Sequence, residues 1–318
     1  MKLQRLIVTA IAVMALPLTA KAQDDQGVQI RGLTRVDTTV RLDRGGAVDL
    51  SLISGKIRVT GWDRADVKIS ASIESGYLRF NANSSRVSLS VEDSDNDGRR
   101  GRRHNDTGDA RYDVSVPRGS RLILEAVSGD VISKGSQGEI EATSVSGDVD
   151  VTDGVRTVSA ESVSGSVHAA SVNGNLRTET VSGDLRVENV TGDVEASTVS
   201  GSIRLVGIQS KDIRTESVSG DILYSGTIEP SGRYSFESHS GTLRLNIPKS
   251  AGAQFSVETF SGDLSTDFQV TIPPSQRRRE GHVEFTIGDG RAKVTAQTFS
   301  GSIIINSGSD STTRREDE

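Results

Sequence analysis

A Val-Ser-Gly tripeptide, or a near copy of it, returns along the chain with its glycine at Gly129, Gly147, Gly165, Gly183, Gly201, Gly220, Gly241, Gly262 and Gly301. The steps are 18, 18, 18, 18, 19, 21, 21 and 39 residues. The last step has the length of one short and one long step together, which reads as a coil that has lost its glycine. A weaker half-repeat sits at Gly138, Gly174 and Gly192. The unit is thus about nine residues, and two units make one coil. Self-similarity at a fixed period is the mark of a repeat architecture, in which each unit buries its apolar face only against its neighbours.

Alignment on the glycine gives columns. Seven residues before it stand Leu122, Ile140, Val158, Leu176, Val194, Ile213, Tyr234, Phe255 and Val294. Five before it stand the smaller Ala142, Ala160, Thr178, Ala196 and Thr215. Two after it stand Val131, Val149, Val167, Leu185, Ile203, Ile222, Leu243, Leu264 and Ile303. Two before it stand Val127, Val145, Val163, Val181, Val199, Val218, His239, Phe260 and Phe299. All four columns are read as buried, with His239 as a core histidine bonded to a neighbouring serine. Polar residues alternate between them, which is the period of a strand with one buried face. The segments are short and rich in Val, Thr and Ser, which disfavours helix.

The expectation is an all-β chain: a parallel β-solenoid with narrow, two-sided coils of about 18 residues, stacked at about 4.8 Å. The glycine sits at a corner that needs a permissive φ, and the serine before it satisfies corner backbone groups. Seven steps from Gly129 to Gly262 give roughly 34 Å of stack. A sandwich of hairpins would instead place Asn-Gly or Asp-Gly turns between strands. The expected division is a leader over 1–22, a lead-in and cap over 23–45, a solenoid over 46–306 and a disordered tail over 307–318. Within the solenoid, 46–121 reads as irregular long coils, among them Val67, Ile69, Ala71 and Ile73. Regular coils follow over 122–268, then an insertion and final coils over 269–306.

Composition narrows the function classes. The 318 residues contain no cysteine, which excludes disulfides, thiolate metal sites, a cysteine nucleophile and a bacterial lipid anchor. A net charge of -6 argues against nucleic acid, whose phosphates call for a basic face. Residues 1–22 carry Lys2 and Arg5, an apolar run from Leu6 to Ala20, and the small residues Ala20 and Ala22 around Lys21. That is the pattern of a secretory signal peptide cleaved after Ala22. Removing Lys2, Arg5 and Lys21 leaves 34 basic and 43 acidic residues, a net charge of -9. No later apolar stretch has membrane length, so the mature chain is expected to be periplasmic or secreted, without a transmembrane segment.

The tandem Glu-[Ser/Thr]-Val-Ser-Gly-[Asp/Ser] units, as in Glu161–Ser166, Glu179–Asp184 and Glu216–Asp221, resemble the bacterial DUF4097 family of adhesin-like β-strand repeat proteins. The segment from Tyr112 to Pro117 that leads into the first clean coil resembles it too. The resemblance covers about residues 40 to 305. It implies an extracytoplasmic β-solenoid and carries over no catalytic or ligand residue.

Two acidic columns are the candidate partner surface. One holds Glu161, Glu179 and Glu216 four residues before the glycine; the other holds Asp184, Asp221 and Asp263 just after it. Stacked carboxylates about 5 Å apart repel, so they either attract a cation or a partner, or serve solubility with Ser and Thr as diluents. Arg177, Arg186, Arg204, Arg214 and Arg244 stand close enough to neutralise them. Calcium-binding turns need more oxygen ligands than Ser-Gly-Asp supplies. The run from Asp93 to Gly98 resembles half of an EF-hand loop, but His104 stands where a bidentate Glu is needed. It and the Arg277–Arg279 run read as surface loops. His104, His168, His239 and His282 show no metal spacing. No phosphate-binding loop, nucleophile elbow or zincin motif is present.

These features point to a non-catalytic scaffold of the cell envelope, without cofactor or metal, that binds an envelope protein or polysaccharide. The alternatives are a periplasmic accessory in envelope sensing and a β-helix carbohydrate-active enzyme. The latter needs paired carboxylates in a groove, where this chain has uniform polar columns and a single tryptophan, Trp62.

Overall fold

The computed structural model describes residues 28–92, 108–271 and 281–308. Residues 1–27, with the expected leader, the Asp93–Gly98 segment, the Arg277–Arg279 run and residues 309–318 lie outside them. Among the described residues all regular structure is strand, 25 segments in all. The chain is a β-solenoid whose two faces enclose one apolar core.

In a regular coil, Val158–Ser162 forms one face and Val167–Ala170 the other. Each strand pairs in parallel with its copies one coil away: Val158 with Ile140 and Leu176, and Val167 with Val149 and Leu185. The columns seven and five before the glycine are buried, as is the column two after it except at Leu264, in the outermost coil. Full burial of each such side chain is worth about 1.5–3 kcal/mol relative to exposure. Where the repeat lengthens to 21 residues, the core enlarges. Tyr224 and Phe236 have ring centroids 5.2 Å apart, and Tyr224 and Tyr234 lie 6.3 Å apart. The buried hydroxyls are satisfied: Tyr224 donates to the Thr227 carbonyl at 2.6 Å and Tyr234 to that of Ser210 at 2.7 Å. Burial pushes the Tyr224 phenol well up from the ordinary tyrosine value and raises that of Tyr234.

The glycines answer to a close approach more than to φ. A Cβ on Gly165 would stand 2.1 Å from the Gly147 carbonyl oxygen, and one on Gly201 would stand 1.9 Å from that of Gly183. Backbone meets backbone at this corner, and any side chain would wedge the coils apart. The hydroxyl that serves the corner lies three residues before the glycine, not one. Ser144 Oγ donates to the Gly129 carbonyl at 2.9 Å, Ser162 to Gly147 at 2.9 Å and Thr180 to Gly165 at 3.0 Å.

Both ends depart from the expected order. The strand Ala47–Trp62 lies in register on Arg121–Lys134, with Gly55 beside Gly129. Beyond it, Asp66–Ile73 pairs antiparallel with Arg35–Arg41 and Ala110–Pro117, and Tyr77–Ala82 pairs antiparallel with Val28–Leu33 and Arg86–Glu92. Residues 66–82 therefore form no long parallel coils. The reason is local. The Asn83 side chain accepts from the Ser85 and Arg86 amides at 3.0 and 2.6 Å, closing a tight turn, and a parallel connection needs a crossover of a dozen or more residues.

At the other end no coil has lost its glycine. Ala292–Ser300 pairs with Arg233–Ser240 on one side and with Ala253–Ser261 on the other. The last coil in sequence thus lies inside the one before it, and His282–Ile287 closes the edge antiparallel to Ala253–Ser261. From Gly129 to Gly262 the stack has eight steps, about 38 Å. The final strand ends at Ser307, whose amide donates to Asp267 at 2.7 Å.

Candidate binding groove

The column two residues before the glycine is not core. Val127, Val145, Val163, Val181, Val199 and Val218 are 44–51 % exposed. Strand alternation explains it. Positions seven, five and three before the glycine share the inward face, as Val158, Ala160 and Ser162 do. Positions four and two must then share the outward face. The chain bends over Val163–Gly165, after which the phase is reset and Val167 points inward.

Each coil therefore contributes a notch. Its walls are the residue four before the glycine and the residue two before it, and its floor is the Ser or Thr between them. Stacked notches make a continuous groove of about 870 Å3. One wall is acidic, with Glu161, Glu179, Glu216, Glu237 and Glu258 interrupted by Ser197 and Gln297, and with Thr143 at its end. The other wall is the valine ladder. The floor runs through Ser144, Ser162, Thr180, Thr198, Ser217, Ser238, Thr298 and Thr259. Ser217 and Thr298 are 6 % and 4 % exposed, and their hydroxyls have no hydrogen-bond partner.

The apolar wall ends in aromatic rings. His239 and Phe299 stack with centroids 4.9 Å apart and planes at 6°, and Phe299 and Phe260 at 4.8 Å and 4°. The order His239, Phe299, Phe260 follows the interleaved coils. His239 is thus an exposed ring stacked on phenylalanine, in place of the expected core histidine. Phe260, on the outermost rung, is 78 % exposed.

The two expected acidic columns part company. Glu161, Glu179 and Glu216 line the groove. Glu161 accepts from Ser159 Oγ at 3.0 Å, Glu179 pairs with Arg177, and Glu216 accepts from Arg214 Nε at 2.7 Å. The Glu216 carboxylate raises the pKa of the Arg214 guanidinium. Asp184 and Asp221 lie across the corner, where each holds the next coil. Asp184 accepts from the Ser202 amide at 2.8 Å and Asp221 from the Thr242 amide at 2.7 Å. Asp263, on the outermost coil, is exposed. Arg186 pairs with Glu188, away from the Asp column. Among the described residues no three metal-binding side chains converge. His168 lies 3.5 Å from Asp150 and 3.7 Å from Glu188, and His282 lies 3.3 Å from Glu284.

The family model described as Toastrack DUF4097 matches residues 113–306, more than half of the chain. This chain belongs to the Toastrack family. No curated protein matches it. Three solved structures are similar to this Toastrack chain at low identity. A "putative cell adhesion protein" from Clostridium sporogenes is 12 % identical with a TM-score of 0.24, over 86 % of this chain and 99 % of its own. A "putative lipid binding protein" from Parabacteroides distasonis is 16 % identical with a TM-score of 0.38, over 84 % and 96 %. A "putative adhesin" from Bacteroides fragilis is 13 % identical with a TM-score of 0.35, over 86 % and 96 %.

Proposed function

We propose that this Toastrack protein is a non-catalytic binding scaffold of the bacterial envelope, and that the groove is where it holds an elongated partner. The observation that carries the reading is the continuous, solvent-facing ladder of valines and stacked aromatic rings. Soluble monomers rarely expose contiguous apolar patches beyond a few hundred Å2, and larger ones mark interaction sites. Nothing in packing requires valine at an outward position, where Ser or Thr would serve the strand as well.

The carboxylates support binding over catalysis. They repeat along one wall, each turned to water, and do not oppose one another across a cleft as a glycosidase pair would. No helix among the described residues is long and apolar enough to cross a membrane. The leader-like 1–22 segment supports placement outside the cytoplasm.

The test uses residues 23–318, immobilised, against a glycan array and a native envelope extract. A variant carrying Val163→Arg and Val199→Arg serves as the comparison. Capture by the parent chain and loss of that capture in the variant is the expected result. Equal capture by both refutes the groove, and turnover of any glycan refutes the scaffold reading.

A further inference from the structure

We infer that the occupant of the groove is a basic amphipathic helix, with its apolar stripe on the valine ladder and its lysines or arginines against the glutamate wall. The inference rests on the groove being a docking face and names the chemistry that docks there.

Backbone accounting is the first argument. The strands that line the groove are paired on both sides, as Val158–Ser162 is with Ile140–Ser144 and with Leu176–Ser182. The bend beside them is paired as well. The Val163 amide donates to the Ser144 carbonyl at 3.1 Å and the Ser164 amide to that of Val145 at 2.9 Å. An extended segment laid along the groove would find no sheet edge to join, and its own N–H and C=O groups would lose water without gaining a partner. A helix brings its backbone hydrogen bonds with it.

Charge is the second argument. Four residues before the glycine stand Glu125, Glu161, Glu179, Glu216, Glu237 and Glu258, with no basic residue in their column. Glu179 and Glu216 pair with Arg177 and Arg214, two residues back on the same strands. Glu161 and Glu237 accept instead from the Ser159 and Ser235 hydroxyls at 3.0 and 2.9 Å, and Glu258 is exposed. The wall thus holds more negative charge than its arginines offset. The ladder across from it holds valines, His239 and two phenylalanines, and no carboxylate, lysine or arginine. The floor adds the Ser217 and Thr298 hydroxyls, which no group of the chain satisfies. The complement of such a groove is basic along one flank and apolar along the next, which is the division of a basic amphipathic helix.

Spacing is the third argument. Ile53, 39 % exposed, extends the ladder below Val127, so the rungs run from Ile53 to Phe260 over about 43 Å. A helix advances about 5.4 Å per turn against about 4.8 Å per rung, a difference of about 0.6 Å per turn. A helix of about four turns centred on one rung is therefore never more than about 1.2 Å out of step. The geometry suits a short helix of roughly 14 residues, seated on part of the ladder.

The probe is a fluorescent peptide of about 14 residues, four turns, with leucine along one helical stripe and lysine along the flank beside it. It is too short to be stably helical alone in water, so binding to residues 23–318 should add a helical circular dichroism signal. Anisotropy should give a micromolar Kd that weakens as salt is raised. Binding should weaken at least about tenfold in Val181→Lys. It should weaken as much in Glu161→Gln with Glu237→Gln, which removes two charges and keeps acceptors for Ser159 and Ser235. Arg214→Gln, which frees the Glu216 carboxylate, should tighten it. A peptide of the same composition with its stripes shuffled should bind at least about tenfold more weakly. No binding, equal binding of the shuffled peptide, binding without a helical signal, or unchanged binding in the folded glutamine variant overturns the proposal. A photo-crosslinker at Val199, presented to a native envelope extract, separates this inference from the groove itself. A crosslink that maps to a segment with an apolar stripe beside a basic one supports the helix. A crosslink to a glycan, or to a segment without those stripes, leaves the groove standing and overturns the helix. No crosslink overturns both.

Discussion

Replacing Gly165 by alanine should cost far more than its one methyl suggests. The added Cβ would lie 2.1 Å from the Gly147 carbonyl oxygen and 2.6 Å from its carbon. Both are backbone atoms, so relief requires separating two coils by about an ångström. That separation breaks the bond from Ser162 Oγ to Gly147 at 2.9 Å and stretches the one from the Ser164 amide to Val145 at 2.9 Å. Each is worth about 1 kcal/mol, and the overpacking strain adds about 1–3 kcal/mol. The expected loss is about 3–5 kcal/mol. The matched control is Gly119→Ala, in a surface turn where a Cβ meets nothing within 4 Å; its expected effect is within about 0.5 kcal/mol of zero. Urea titrations followed by circular dichroism compare the two. Equal midpoints would refute the claim that coil-to-coil backbone contact, and not turn conformation, selects glycine at this corner.

Floor hydroxyls should divide by partner. Thr180→Val removes a donor to the Gly165 carbonyl and should destabilise by about 1–2 kcal/mol, whereas Ser217→Ala removes a buried hydroxyl without a partner and should be neutral or stabilising by up to about 1 kcal/mol, read from the same titrations. Asp184→Ala should lower stability by about 1 kcal/mol by freeing the Ser202 amide, while Asp184→Asn, which keeps an acceptor, should cost less; equal losses would tie the residue's role to charge. Tyr112, Tyr224 and Tyr234 have phenols whose pKa burial raises. The folded state therefore holds the phenolic protons more tightly than the unfolded state. This stability is fully present below the ordinary tyrosine pKa of about 10 and is lost as pH rises above it. Thermal melts from pH 8 to 11 should fall steeply past that point, and Tyr112→Phe should flatten the fall.

Most of the solenoid was legible because its physics is periodic. Once Val158, Ala160 and Val167 recur every 18 residues, stacking follows. The groove is legible too, but two signals conflict there: Val163 is apolar, which suggests burial, while its phase in the strand points it outward. Inward Val158 and Ala160 already require Ser162 to turn in and Val163 to turn out. His239 was the signal in plain view, since a polar ring at a ladder position suits an outward column. The ends were less legible. The turn made by Asn83 acts locally, while the interleaving of Ala292–Ser300 between Arg233–Ser240 and Ala253–Ser261 leaves every repeat intact and changes only which copy neighbours which. The Asp column resisted assignment because Asp184 and Glu179 are alike in a sequence, and only the coil beneath shows which one holds an amide.

That interleaving changes what it means to shorten this protein. Ala292–Ser300 follows Ala253–Ser261 in the chain yet forms an interior layer, so deleting it removes no lid and instead opens a gap one rung thick. Without those residues, Ala253–Ser261 keeps its antiparallel partner His282–Ile287 but lacks the parallel neighbour that joins it to the stack. That segment is the keystone of the rod, held between two courses that come before it in the chain.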